Sequence, residues 1–249
     1  MKFYEFGQEN AKTLLLLCGW SVNWRGAIPT INELKKQYHV IVQAYDGFNV
    51  DEPKSTFVSV VKEGQDGADY IAKHFNGKID IIYGMSYGAT ILTEILLDKR
   101  IAAHTAIADG FTITEYPNCK KEATKRLIAN LNSGISYTFM VRHREFIGLV
   151  AKAIGRTKEQ FDAVVYKEAS RESYFNGYYC LIGYRFKYEV FAKTDFHIWQ
   201  SVEKKSIKKI KRLKEQGYHF THTIFNDLGH GGFAQQPTRL IDEINRAYH

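Results

Sequence analysis

The sequence predicts an α/β fold: a mostly parallel sheet with helices on both faces. Two observations carry this. Short, mostly apolar strand-like runs, TLLLLC, HVIVQAY, IDIIY and HTAIAD, alternate with longer stretches of helical spacing over the first 110 residues. Strands without polar alternation are those covered on both faces. The alternation then stops between residues 111 and 186, where the pattern is helical, and resumes afterwards. That block reads as a helical cap subdomain inserted into one core, with residues 1–110 and 187–249 forming the core and 111–186 the cap.

Taken in order, KFYEF is an edge strand and residues 13–18 a buried strand. NWRGAIPTINELKKQY is a helix with an early proline, which suits a first turn. Residues 39–45 form the next strand, and STFVSVVKEGQDGADYIAKHF the next helix, with Gly64 and Gly67 weakening its middle. Residues 79–83 are a strand, YGATILTEILLDK a helix, and 104–109 a strand. Inside the insert, Thr157 and Gln160 have the spacing of a capping box at a helix start. Beyond it, YEVFAKT (188–194) reads as a strand, 202–216 as a helix, 219–227 as a strand and QPTRLIDEINRAY as a closing helix.

The chain of 249 residues is 45% hydrophobic and 24% charged with four prolines, which excludes a disordered chain and allows a large core. LLLLC is far too short to span a bilayer, and MKFYEFGQENAK has no apolar signal-peptide core. Cys18, Cys119 and Cys180 are odd in number and far apart, so neither a disulfide framework nor a zinc site is expected. These features point to the cytoplasm, with no metal and no cofactor. The net charge of +7 owes much to VEKKSIKKIKRLKEQG, where Val202, Ile207, Ile210 and Leu213 recur at helical spacing between lysines. This is a surface helix with a solvated basic face, or a contact for an anionic surface; no nucleic-acid motif accompanies it, and no nucleic-acid partner is expected.

In a doubly covered sheet, ligands bind beyond the carboxyl ends of the strands. Ser86 lies there, in G-M-S-Y-G between a strand and a helix. A serine hydroxyl needs a base, and flanking glycines such as Gly84 and Gly88 let strand and helix approach closely. His230, in FNDLGHGGF after the last strand, is the candidate base because imidazole titrates near neutrality. Asp195, at the end of the expected strand 188–194, is the first candidate for the carboxylate that orients His230, and Asp109 is the rival. Asp227 is too close to His230 in sequence and belongs to the strand end or loop. An acyl carbon attacked by Ser86 would develop an oxyanion, for which the amides of Tyr87 and Trp20 are the expected donors, Trp20 also serving as a pocket wall. Cys18 has no local base and reads as a small buried hydrophobe.

The order Ser86, Asp195, His230, with the elbow sequence and the helical insert, resembles the α/β-hydrolases, and serine esterases and lipases with a helical cap in particular. The likeness is strongest at GMSYG, LLLLCGW and GHGGF, and FAKTD is similar to the segment that carries the acid, with Ala192 where glycine is common. It implies an acyl-enzyme on Ser86, with His230 as base then acid and Asp195 as its orienting partner. Two departures stand out. Cys18-Gly19 replaces the family's frequent His-Gly, and the loop after the next strand, AYDGFNVDE, is reduced.

Large apolar and aromatic residues crowd the insert: Tyr137, Phe139, Met140, Phe146, Tyr174, Phe175, Tyr178, Tyr179 and Tyr184. Most belong to helix packing; those on the underside would line an apolar pocket for a small or medium hydrophobic ester or thioester. Two other readings stay open. One is a small-molecule-binding protein with slow or no turnover. The other is a carbon–carbon hydrolase or lyase that uses the same three residues.

Overall fold

The computed structural model describes residues 1–110, 121–153, 157–201 and 204–249. Its strands are β1 (Lys2–Phe6), β2 (Thr13–Leu17), β3 (His39–Ala44), β4 (Lys78–Met85), β5 (Ala102–Asp109), β6 (Asp195–Gln200) and β7 (Thr221–Ile224). They form one seven-stranded sheet in the order β1-β3-β2-β4-β5-β6-β7. β1 runs antiparallel to β3, and every other pairing is parallel. All parallel strands therefore end at one edge of the sheet, with β4 at its centre.

Both faces are covered, and the strands show why they lack polar alternation. On β2, Leu15 and Leu17 pack into a core with α2 (Val60–His74) and α3 (Tyr87–Leu97). Leu14 and Leu16 pack into the opposite core with α1 (Ile28–Leu34) and α9 (Pro237–Tyr248). Successive strand residues point to opposite faces, so a strand covered on both is apolar at nearly every position. The basic helix α8 (Lys204–Glu215) buries Ile210 and Leu213 in the first of these cores. Val202 lies outside the described residues, as does Cys119; Cys18 and Cys180 are free thiols.

Gly64 and Gly67 do not break α2. A Cβ on Gly64 would lie 2.3 Å from Glu94 Cβ on α3, and one on Gly67 would lie 2.7 Å from Ile95 Cδ1. At both glycines α2 packs directly against α3, and packing outweighs their poor helix propensity.

Between β5 and β6 lie α4 (Glu122–Tyr137), α5 (Ile147–Ala153), α6 (Lys158–Val164) and α7 (Arg171–Gly183). The expected capping box forms at α6: the Thr157 side chain accepts from the Gln160 amide, and Gln160 accepts from the Thr157 amide. The block is tied to the loop after β2. Val165 bridges Val22, the Tyr166 amide donates to the Ser21 carbonyl, and the hydroxyls of Ser21 and Tyr174 lie 2.6 Å apart. No helix among the described residues is long and apolar enough to cross a membrane.

One expected strand is corrected. Residues 188–192 form a 3₁₀ turn, and the strand begins only at Asp195. Phe191 anchors that turn among Phe186, Phe196, Tyr218 and Phe220, a cluster that a flat strand would pull apart.

Two stability predictions follow from this packing. Gly64→Ala should lower the urea midpoint, because overpacking costs about 1–3 kcal/mol and a gain in helix propensity of about 1 kcal/mol offsets only part of it. An unchanged or higher midpoint would show that the α2–α3 contact yields. The Glu63 carboxyl is almost wholly buried, and burial, reinforced by Asp46 and Asp66, raises its pKa well above the ordinary carboxylate value. Above that ordinary value the folded protein keeps a proton that the unfolded chain has lost, so stability falls as pH rises. Glu63→Gln should therefore gain stability over the parent at pH 8 and lose that advantage towards pH 4.5, read from denaturation midpoints across the range; a gain independent of pH would refute the protonation argument.

Candidate active site

β4 extends past its apolar run through Gly84 and Met85, and Ser86 is the residue between its end and the first residue of α3. Ser86 has φ 53° and ψ −110°, a left-handed backbone that costs a residue with a Cβ. The surroundings hold it there. Its amide donates to the Asp109 carbonyl at 2.6 Å. A Cβ on Gly84 would lie 2.6 Å from the Gly88 carbonyl oxygen, and one on Gly88 would lie 2.4 Å from that of Leu17. Only glycine at both positions allows α3 to begin against β2 at this angle, and the angle lifts the Ser86 hydroxyl above the sheet edge.

His230 follows β7, one residue before a left-handed Gly231 that opens a short 3₁₀ turn. Its Nε2 lies 2.9 Å from Ser86 Oγ. The ring packs over the backbone at the end of β5: an atom at the Cβ position of Gly110 would be 3.0 Å from both Cε1 and Nδ1. The structure thus brings together two residues 144 apart in sequence.

Asp195 is not with them. It opens β6 rather than closing a strand, pairs in register with Thr105, is half exposed, and has Oδ2 3.0 Å from His197 Nε2. Trp199 is the β6 residue level with Asp109, so Asp195 sits four residues, about 13 Å of strand, towards the opposite sheet edge. Asp109 is at the same sheet edge as Ser86. It is the last residue of β5, buried, and its Oδ2 accepts a hydrogen bond of 2.6 Å from the Tyr83 hydroxyl. Tyr83 is a residue that the sequence reading missed; its signal was an aromatic hydroxyl in a buried strand, which must find a partner. Asp227 is ion-paired with Arg239.

The loop after β2 faces the elbow. A Cβ on Gly19 would lie 3.8 Å from Ser86 Cβ, which places Trp20 next in line. Neither the Trp20 amide nor that of Tyr87, the first residue of α3, has a hydrogen-bond acceptor among the described residues. Cys18 is buried, and burial pushes its thiol up to about 12, so no thiolate competes with Ser86 at neutral pH.

The Trp20 side chain stands in an aromatic ring of Phe48, Phe57, Tyr87, Tyr174 and Tyr178. It lies directly on the backbone of α7 at Gly177, where a Cβ would overlap the indole at 1.7 Å. On its far side is a cavity of about 460 Å³ lined by Trp20, Phe139, Met140, Tyr174 and Tyr178, with Ile135 and Leu149 also on its wall. Its size and apolar lining suit a hydrophobic group of a small molecule. Among the described residues, no group of three or more His, Cys, Asp or Glu is placed to hold a metal ion.

A central strand that turns through a strained serine into a helix, with a histidine after the last strand at hydrogen-bond distance, on a seven-stranded sheet with one antiparallel edge, is the α/β-hydrolase fold. Solved structures bear this out. A protein assigned to the α/β hydrolase family, from Desulfitobacterium hafniense, superposes with a TM-score of 0.73 at 19% identity, covering 98% of this chain and 99% of that one. A thermophilic esterase from Thermogutta terrifontis gives 0.72 at 16% identity, covering 100% and 93%. MenH from S. aureus gives 0.69 at 15% identity, covering 100% and 98%. No protein-family model and no curated protein matches the chain.

The strain at Ser86 is measurable without turnover. Glycine adopts the mirror-image backbone region freely, so Ser86→Gly should be more stable than Ser86→Ala by about 1 kcal/mol in urea denaturation. Equal stabilities would mean that the elbow stores no strain.

Proposed function

We propose that the protein is a serine hydrolase of carboxylesterase type, acting on a small or medium hydrophobic ester or thioester. One observation carries the reading: an imidazole nitrogen 2.9 Å from a serine hydroxyl that a left-handed backbone presents at the end of the central strand. A hydroxyl in that position is an activated nucleophile, because the base that removes its proton is already in hydrogen-bond contact.

In this scheme the Ser86 oxygen attacks the acyl carbon while His230 Nε2 takes its proton. The carbonyl oxygen becomes an oxyanion and is held by the amides of Trp20 and Tyr87, which have no acceptor among the described residues to give up. As the tetrahedral species collapses, the bond to the leaving alkoxide or thiolate breaks, and His230 returns the proton to it. Water, deprotonated by His230, then attacks the acyl-enzyme; as this second tetrahedral species collapses, the bond to Ser86 breaks, His230 returns the proton to Ser86 Oγ, and the acid leaves. The scheme calls for no cofactor.

Asp109 takes the part of the carboxylate behind His230. It ends the strand beside the one that carries Ser86, is buried, and adjoins the glycine over which the imidazole edge lies. The Tyr83 hydroxyl donates a hydrogen bond to it and fixes its orientation. The helical block serves as a cap, and the cavity beside Trp20 receives the acyl chain.

A fluorophosphonate probe and a panel of p-nitrophenyl esters of rising chain length, with acyl-CoA thioesters beside them, test the reading. The parent should label. Ser86→Ala should not, and should lose on the order of 10⁴–10⁶ in kcat. A folded parent that neither labels nor turns over any ester would leave a binding protein on a hydrolase fold. Asp109→Asn should lower kcat about 10⁴-fold. The first carboxylate in the chain past the end of β6, Glu203, lies outside the described residues and is the control. A near-normal Asp109→Asn beside an inactive Glu203→Gln would move the acid to that strand end.

A further inference from the structure

The helix α4 is inside out. Its wholly buried residues are small, Ala129 and Ser133, and these pack towards α7. At 100° per residue, Leu127, Leu131 and Ile135 fall on the opposite side, and they are 68%, 62% and 50% exposed. A surface helix ordinarily turns such a stripe inwards. The apolar surface continues beyond the helix, with Phe146 47% and Leu149 67% exposed. Ile135 and Leu149 are also walls of the cavity beside Trp20, so the stripe runs up to the mouth of that cavity.

The surrounding charge selects the partner. Six cationic side chains lie between residues 121 and 153; of these, Arg126 pairs with Glu122, Lys125 lies over the Tyr179 ring of α7, and Arg144 pairs with Asp162. Lys121, Arg142 and Lys152 form no ion pair among the described residues. A second copy of the chain docked on this face would set these cations against their own like, which electrostatic complementarity disfavours. An anionic lipid surface would accept the leucines among its acyl chains and the cations at its headgroups, as amphipathic helices that lie in the interface do.

We propose that the α4–α5 face docks on an anionic lipid bilayer, with α4 in the plane of the interface and the mouth of the cavity opened towards the acyl chains. Docking itself is independent of turnover. Its use in delivering a lipid-dissolved ester to Ser86 rests on the hydrolase reading.

Co-sedimentation with vesicles tests it, using the full-length Ser86→Ala chain so that no lipid is consumed. Binding to vesicles of phosphatidylglycerol and phosphatidylcholine should be at least tenfold tighter than to phosphatidylcholine alone and should weaken as salt rises. Leu127→Asp/Leu131→Asp should weaken binding at least tenfold. Placed in the otherwise parental chain, the same pair should leave hydrolysis of a soluble short-chain ester unchanged, since neither leucine lines the cavity. Arg142→Glu/Lys152→Glu, which leaves the leucines in place, should remove the preference for anionic lipid and guards against misfolding of the first pair. Failure of the folded protein to bind anionic vesicles, equal binding by the leucine variant, or a dimer in solution that the leucine variant dissolves would overturn the proposal. Vesicle binding by a chain that fails to label with fluorophosphonate would sink the hydrolase reading and leave docking intact.

Discussion

Everything at the candidate site depends on how closely the start of α3 approaches β2. The Gly88 Cα is packed against the Leu17 carbonyl so tightly that a single methyl group would meet it at 2.4 Å. That contact sets the angle at which the chain leaves β4, and the angle forces Ser86 into its left-handed backbone. The strain is carried by the sheet: Ser86 is tied through its amide to the end of β5, and β5 is locked between β4 and β6. A serine held this way loses little further freedom when it meets a partner.

The same edge collects the other parts. The parallel strands all finish there, so a loop after β2, the end of β5 and the loop after β7 converge without any being near in sequence. His230 reaches Ser86 because β7 and β4 end on the same side, although β5 and β6 lie between them. The imidazole clears β5 by passing over Gly110, where a larger residue would meet the ring at 3.0 Å.

Most of the sheet was legible in the sequence because a doubly buried strand announces itself by a near-continuous apolar run. Ser86 and His230 were legible because their surroundings are local: glycines on each side of one, a strand end before the other. The position of β6 was not. YEVFAKT and DFHIWQ are adjacent, and both offer aromatic and β-branched residues. What decides between them is pairing with Thr105–Asp109 on one side and Thr221–Ile224 on the other, which no local pattern contains. DFHIWQ also carries two buried polar residues, His197 and Gln200, which disguise it as a loop. That one error moved Asp195 from one edge of the sheet to the other and left Asp109 as the better-placed carboxylate. Likewise Gly64 and Gly67 looked like helix breakers because their role lies in α3, far along the chain.

The stitching between the helical block and the loop after β2 has a consequence for how such a site could evolve. Ser21, Val22 and Trp20 are each fastened to α6, α7 or the segment that joins them, by a hydroxyl pair, a strand-like bridge and an indole pressed on Gly177. The amide of Trp20 thus rides on the same piece of structure that shapes the cavity. On the proposed reading, reshaping the helices to admit a different molecule would also shift the Trp20 amide beside Ser86, so selectivity and speed would be mechanically geared to each other through a single aromatic ring.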